Sequence, residues 1–548
     1  MKSKILMGSL LLASTMLGAC SDFLDEDPKG KLTAENYFQT LDELNMATVT
    51  VAKKAQGTQI FTNMLYPQWQ GDDITANPGA NKQACAEMDK FAATDNNKGV
   101  NDAWNRNFEL IKAANYVINN AGRTPTLKEE IDIAIGQAKY WRAFAYFYLV
   151  RIFGPLPINT DNVNDDYTAT LSSEEEVYKI IVQDLKDAEA MLPTGYKDAP
   201  RALNGVNVYI TQQAVKSTLA AVYMAMAGYP LNKGTEYYAL AADKAKEVID
   251  GVKANKYEYK LEDEYKNVYS MDNNYNKETV VGINTSPFQD WAQDSEFVLT
   301  QLFESQGGWG DGWGELRFWK KFPAGPRKDA TYNVKIRLND GKLVDFWEKI
   351  PDGKGQMVPA VIEQHPMFCL FTLNADDKGN MLTNAFDYTK PYNTRRMTND
   401  HRHRVIRYSE VLLWYAESKA RTGNVDDLAR ECLKEVRKRA VLPAEVNKVD
   451  GIDIDVMTAD QLAEAAYDEH GWEVAGYWLS LVTRRADQFR MNRLKDTFVE
   501  RAENAPVEVA PGVSLKEGVE FTNKTWNDKL MYLPYPSSDA LKNPNLKR

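Results

Sequence analysis

The stretch 305–321 reads Ser-Gln-Gly-Gly-Trp-Gly-Asp-Gly-Trp-Gly-Glu-Leu-Arg-Phe-Trp-Lys-Lys, which sets Trp309, Trp313 and Trp319 beside Asp311, Glu315 and Arg317. Glycine disfavours a helix by about 1 kcal/mol per residue relative to alanine, so this spacing predicts rings presented on loops. Indole faces next to carboxylates and a guanidinium suit a ligand with C–H faces and hydroxyl edges, the chemistry of a sugar ring. Three other places repeat the combination. Trp291 follows Pro287-Phe288-Gln289-Asp290, Trp69 precedes Asp72 and Asp73, and Trp104 lies three residues before Asn107 near a helix start. For each ring the competing reading is a plug in the core, and Trp104 also fits an apolar helical stripe. The candidate binding residues are therefore Trp309, Trp313, Trp291, Trp104, Asn107, Trp69, Asp73, Trp319 and Arg317.

Reaction chemistry has fewer candidates. The chain carries no His-Glu-x-x-His and no Gly-x-Ser-x-Gly, and its glycine-rich stretch lacks the Gly-Lys-Ser/Thr of a phosphate loop. A carboxylate pair about 5–9 Å apart would suffice for a surface glycosidase, and the 77 acidic residues leave room for one. His401-Arg402-His403-Arg404 has His-x-His spacing without an evident third ligand, and is expected to be a solvated basic stretch near Asp400. His365 and His470 stand isolated, and Asp272-Asn273-Asn274 reads as a turn rather than a calcium loop. Neither a catalytic residue, a cofactor nor a metal is expected.

One other group has chemistry of its own. Lys2 and Lys4 precede an apolar run from Ile5 to Leu17, followed by Leu17-Gly18-Ala19-Cys20. This is the pattern of a secretory signal peptide, residues 1–19, with a run short of the about 20 residues that span a bilayer. Small residues directly before Cys20 make a lipobox, so Cys20 is expected to be cleaved free, acylated and anchored in a membrane. Residues 20–32, acidic and holding Pro28 and Gly30, read as a tether. With Cys20 lipidated, Cys85, Cys369 and Cys432 allow at most one disulfide and read as buried, inert core cysteines. A net charge of −11 over 548 residues argues against nucleic acid as a partner.

Helices must position these residues. Thr33 is a good cap for a helix entered at Ala34, with a second over Ala47–Ala55. Periodicity predicts helices over 102–120, 128–153, 174–191, 211–227, 236–249, 405–421 and 425–440, with a strand near 278–283. Pairs of amphipathic helices, about 35 residues per pair, suggest a tetratricopeptide-like arrangement, with an unrelated helical bundle as the alternative. The fold class is mainly α, a helical-repeat scaffold with an irregular loop-rich middle region packed on it. Residues 255–400, rich in Gly, Asn, Asp and Trp, form that region, and long irregular segments of this kind usually carry function.

Several motifs in order resemble the SusD/RagB family of outer-membrane nutrient-binding lipoproteins. The lipobox is followed by Asp22-Phe23-Leu24-Asp25. Trp104 leads to Ile111 and Ala114-Asn115, and 138–157 reads Ala-Lys-Tyr-Trp-Arg-Ala-Phe-Ala-Tyr-Phe-Tyr-Leu-Val-Arg-Ile-Phe-Gly-Pro-Leu-Pro. Arg407-Tyr408-Ser409-Glu410-Val411-Leu412-Leu413 leads to Ala416-Glu417-Ser418, and the chain closes with Asn543-Pro544-Asn545-Leu546. One segment departs: Asp468-Glu469-His470-Gly471-Trp472-Glu473-Val474 matches half of a family motif, and Tyr477-Trp478-Leu479-Ser480 replaces the rest, which puts local packing there in question. The resemblance implies one SusD-like domain over 33–548, with a scaffold at about 33–254 and 403–442, a variable ligand-binding region at about 255–402 and a C-terminal part at 443–548. It implies the outer face of the outer membrane, a SusC-like TonB-dependent transporter as partner, and an oligosaccharide as cargo, without enzymatic activity; a peptide cargo, as in RagB-like relatives, is the alternative. It also matches Trp104 and Asn107 to family ligand contacts.

Overall fold

A computed structural model describes residues 37–58, 62–161, 168–270, 273–285, 302–304, 308–338, 340–370, 372–373, 382–383 and 401–547. The signal peptide, Cys20, the tether, the Thr33 cap, Asp272 and Trp291 lie outside the described residues.

Helix α1 (Leu41–Gly57) opens with a capping box: Glu43 N donates to Thr40 Oγ1 (3.2 Å) and Thr40 N to Glu43 Oε2 (2.9 Å). Tyr37–Thr40 are bends, so the helix begins at Leu41 rather than continuing from an earlier one. After strand β1 (Ile74–Ala76) come α2 (Gln83–Asp89), α3 (Lys98–Asn120), α4 (Lys128–Phe153), α5 (Glu174–Met191), α6 (Gln212–Ala227) and α7 (Thr235–Lys253). Each predicted helix from 102 to 249 is present to within a few residues. Consecutive members pack side by side from α3 through α7. Alanines 214, 220, 221 and 225 of α6 and 241, 242 and 245 of α7 are buried, which lets those two backbones approach closely.

The family-like motifs acquire physical reasons here. Arg142 of α4 places its Nε and Nη2 on Asp184 of α5 (2.7 and 2.8 Å) and its Nη1 on Asn115 Oδ1 of α3 (2.8 Å). One buried guanidinium thus clamps three helices. Gly154, at φ +67°, ends α4 and donates its N–H to Val150 O (2.9 Å).

The chain leaves this stack after Lys253. It forms β2 (Thr279–Ile283), β3 (Gly312–Gly314), α8 (Leu316–Lys321) and α9 (Pro326–Thr331), and returns at β4 (His403–Arg407). β4 pairs antiparallel with β2 in the register His403↔Ile283 to Arg407↔Thr279. Helix α10 (Tyr408–Arg421) then packs on α7 and α11 (Asp427–Lys438), so the helical stack resumes across the excursion. Helices α12 (Ala459–Val474), α13 (Arg484–Arg490) and α14 (Leu494–Glu503) follow. The architecture is mainly α and tetratricopeptide-like, with few and small strands.

Two expectations are corrected at β4. The helix placed over 405–421 begins only at Tyr408, because Val405 and Ile406 are strand residues and Tyr408 N donates to Glu278 O (2.8 Å). The solvated basic stretch is instead interior: His401, Arg402, His403 and Arg404 are all buried. Arg404 N donates to Tyr477 Oη (2.6 Å), Leu481 N to Val405 O (2.8 Å) and Arg402 Nη2 to Asn207 O (2.9 Å). Gly282 makes room, since a Cβ there would lie 2.5 Å from Arg402 Nε. Burial and Arg404 push His403 down to about 3, which keeps it neutral.

The segment that departs from the family motif is packed, not disordered in its chemistry. Glu473 of α12 accepts from Arg407 Nη1 (2.7 Å), Arg439 Nη2 (2.9 Å) and Arg327 Nη1 (2.8 Å), all buried. Glu278 accepts from Arg407 Nη1 (3.2 Å) and Arg439 Nη2 (2.7 Å). Burial raises the Glu473 pKa, but Arg407, Arg439 and Arg327 outweigh it and hold the carboxyl at about 2. The network joins Glu278, the residue before β2, to β4, α9, α12 and the end of α11.

His470 is not isolated either. Its Nδ1 is 2.5 Å from Asp487 Oδ2, its Nε2 is 3.5 Å from Glu410 Oε2, and Trp414 Nε1 is 3.2 Å from that Nε2. Burial disfavours the imidazolium, yet Asp487 and Glu410 raise its pKa to about 9. A raised folded pKa gives stability that is complete below the unfolded value of about 6.5 and is lost as pH rises through about 9. The denaturation midpoint should therefore fall between pH 6.5 and 9, and His470→Gln should flatten that fall. An equal slope in both proteins would assign the alkaline loss to other groups.

Candidate functional site

β3 carries the Gly-Trp-Gly of the tryptophan-rich stretch and pairs antiparallel with β1: Ile74↔Gly314, Thr75↔Trp313 and Ala76↔Gly312. Glycine is required at Gly312, where a Cβ would meet Ile74, Trp478 and Trp69 at 2.7–3.0 Å. Ahead of the strand the chain turns sharply. Gly308 N donates to Phe303 O (3.0 Å) and Gly310 N, at φ +58°, to Leu302 O (2.8 Å). This turn holds Trp309 half-buried, with part of its surface in solvent. Two residues on, Asp311 pairs with Lys82, and Asn77 N donates to Asp311 O (3.2 Å). Burial raises the Asp311 pKa and Lys82 opposes the rise. A half-open indole can stack a sugar ring, while Asp311, buried and paired with Lys82, fixes the chain that leaves the turn.

The other predicted rings in the described residues are closed over. Trp313 is 5% exposed, against Phe303 (6.1 Å) and His365 (5.1 Å between centroids). His365, read as isolated, lies 2.9 Å from Glu517 Oε2; burial lowers its pKa, but Glu517 outweighs that and raises it overall. Trp319 packs edge-on to Phe346 (5.3 Å), with the Lys328 ammonium 4.8 Å above it. Trp69 is fully buried beneath β3, 4.4 Å from Trp478. Trp104 belongs to a separate aromatic cluster with Phe153 (5.1 Å) and Tyr535 (5.6 Å). Asn107 is buried and gives its Nδ2 to Ala103 O (2.7 Å). The loop presentation expected for Trp69, Trp313 and Trp319 is thus corrected, and Trp104 takes the core side of its two readings: a large apolar ring gains more from a packed interior than from solvent. Trp309 is the exception.

Asp73 is buried. Its Oδ2 accepts from Gly476 N (3.2 Å), and desolvation with Asp72 raises its pKa to about 7. Arg317, on α8, donates to Glu315 Oε1 (3.1 Å) and Ala505 O (2.9 Å). Glu315 N in turn donates to Asp73 O (3.3 Å). Trp309, Asp311, Trp313, Glu315 and Arg317 therefore lie along one segment, while Trp104 and Asn107 do not join it. Sequence reasoning missed three other half-buried rings, Trp347, Trp472 and Trp526. Trp472 follows Gly471 on α12, where helical periodicity gives no sign that the ring lies at a cleft.

A stack of paired helices, interrupted by a long loop-rich excursion and resumed after it, defines the SusD-like class. Residues 22–224 match the family described as starch-binding and associating with the outer membrane, and residues 371–548 match the SusD family. A SusD-like protein of Bacteroides ovatus is 25% identical over all of this chain and 97% of its own length. A solved SusD homologue from Bacteroides thetaiotaomicron superposes with a TM-score of 0.72 at 19% identity, covering 93% of this chain and 97% of its own. A laminarin-binding SusD-like protein and a structure with a xylogluco-oligosaccharide each reach a TM-score of 0.67 over 92% of this chain and 98% of theirs, at 17% and 20% identity. The chain belongs to the SusD/RagB family.

Proposed function

We propose that this chain is a glycan-binding lipoprotein of the outer membrane's extracellular face, captures oligosaccharides without hydrolysing them and delivers them to a SusC-like TonB-dependent transporter. The observation that carries the binding reading is Trp309, the one predicted ring among the described residues that is half open. Solved members of the same fold that bind laminarin or hold a xylogluco-oligosaccharide support carbohydrate as the ligand class. Anchoring rests on the lipobox, and the transporter on the family resemblance. Among the described residues no helix is long and apolar enough to cross a membrane.

Capture followed by release needs only micromolar to millimolar dissociation constants, about −8 to −4 kcal/mol. The test is a screen of the protein starting at Ser21 against laminarin, xyloglucan, starch and peptides, by affinity electrophoresis and calorimetry. Binding of a glycan with no product released supports the reading. Product release makes the protein an enzyme, and peptide binding alone moves it to the peptide branch. Recovery of a TonB-dependent barrel with the affinity-tagged lipoprotein from detergent-solubilised outer membranes checks the partner. For the anchor, Cys20→Ala should abolish labelling by radioactive palmitate and shift the protein out of the membrane fraction. Unchanged labelling would remove Cys20 as the acylated residue.

A further inference from the structure

Segments far apart in the chain meet around an interior cavity of about 20 Å³. Arg151 of α4 and Arg485 of α13 both line it, among apolar walls that include Leu65, Ile152 and Trp478. Arg151 is 5% exposed and Arg485 1%, and neither forms an ion pair among the described residues. Arg485 spends its guanidinium on neutral carbonyls. Its Nε and Nη2 donate to Gln70 Oε1 (3.3 and 3.2 Å), its Nη1 to Arg151 O (2.7 Å), and its Nη2 also to Met531 O (3.2 Å). Arg151 gives its Nε to Phe147 O (2.8 Å) and lays its guanidinium over the Phe147 ring, 3.7 Å from the centroid. Its Nη1 and Nη2 groups have no hydrogen-bond partner among the described residues.

The groups that could balance these cations are engaged or neutral. Asp487 lies 2.5 Å from His470 Nδ1 and accepts from Arg490 Nε (2.7 Å). Ser480, on the cavity wall, donates its hydroxyl to Glu410 Oε2 (2.5 Å). Burial raises the pKa of Tyr148, another wall residue, so its phenol stays neutral. Burial lowers Arg485 to about 9, with Arg151 adding to the fall, and lowers Arg151 to about 10, so both are cations at neutral pH. We propose that the cavity is a binding site for a monatomic anion, chloride under ordinary conditions, held by the Nη groups of Arg151 and balancing both guanidiniums. A buried cation without a counter-ion is costly, and two on one cavity add like-charge repulsion. A water molecule in the same place bonds the N–H groups but leaves the charge unbalanced. The volume exceeds the roughly 10–15 Å³ that one water needs and leaves no room for a phosphate, a sulfate or a carboxylate ligand. The ion ties α4 to α13 and is independent of glycan capture at Trp309.

Crystals of the protein from Ser21 grown in sodium bromide and measured at the bromine absorption edge test the site directly. An anomalous peak is expected in the cavity beside Arg151 Nη1 or Nη2, and a cavity holding only water, or nothing, overturns the proposal. In solution, replacing gluconate by chloride at fixed ionic strength, up to about 150 mM, should raise the melting temperature saturably by about 1–2 °C, the shift that a dissociation constant on the order of 10 mM gives a chain of this size. Arg151→Gln should melt at the same temperature in both salts. A bromide peak without the chloride-dependent rise means occupancy at crystal concentration only and overturns the site, as does an equal rise in Arg151→Gln. If that variant does not fold, the wild-type crystal and titration decide by themselves.

Discussion

Glu473→Ala should destabilise the protein by about 3–5 kcal/mol, the usual cost of removing one partner from a buried ion cluster. The change leaves Arg327, Arg407 and Arg439 at 0–4% side-chain exposure without the carboxylate that all three share. Glu278 still serves Arg407 and Arg439, and Glu469 stays 2.7 Å from Arg327 Nη2, but Arg327 Nη1 loses Glu473, its partner at 2.8 Å. Glu473→Gln keeps the shape and loses the charge, so it should fall between wild type and alanine. Urea denaturation followed by circular dichroism measures both, and a loss below about 1 kcal/mol for the alanine variant would mean that the network contributes little. The same carboxyl predicts an acid limit. Its folded pKa is depressed to about 2, so its contribution is present above the unfolded value of about 4.3 and is lost as pH falls through about 2.

Trp309→Ala and Trp313→Ala should separate cleanly, although the two rings sit in the same Gly-Trp-Gly context. Trp309 is half-buried, and its removal should cost glycan affinity about 30-fold or more, the 2 kcal/mol of a ring that anchors a ligand. Its effect on stability should be smaller than that of Trp313, because part of its surface already meets solvent. Trp313 is 5% exposed and wedged between Phe303 and His365, so its truncation should cost about 3–5 kcal/mol of stability. Calorimetric titration and urea denaturation on both variants check the contrast. Equal affinity in wild type and Trp309→Ala, for a glycan that binds wild type, would move the ligand away from this loop.

Much of the scaffold was legible because helices are local objects. Capping residues, apolar spacing and terminating Gly-Pro act within a turn or two: Glu174–Met191 starts at its Ser173 capping box, and Lys128–Phe153 stops at Gly154-Pro155. The candidate site was legible only as a stretch of sequence. Whether a ring on that stretch meets solvent depends on which distant segment closes over it. Thr75 pairs with Trp313 across 238 positions of chain, whereas no described strand pairs with Trp309.

The sequence by itself determined the helical class, the order of the paired helices and the glycine-cornered tryptophan segment, since each follows from short-range periodicity and backbone preference. Only the tertiary structure decided which charges and rings are interior. His401–Arg404 read as solvated from their charge alone, and are buried because Asn207, Tyr477 and Leu481 converge on that strand. Glu473 read as half of an incomplete motif, and is the shared partner of three arginines from elsewhere in the chain. Arg151 and Arg485 gave no sign of facing one cavity, because a cavity between helices is made by packing and not by any one of them. Burial is a property of the whole assembly of surfaces, and residue type records only what each position can tolerate once that assembly has formed.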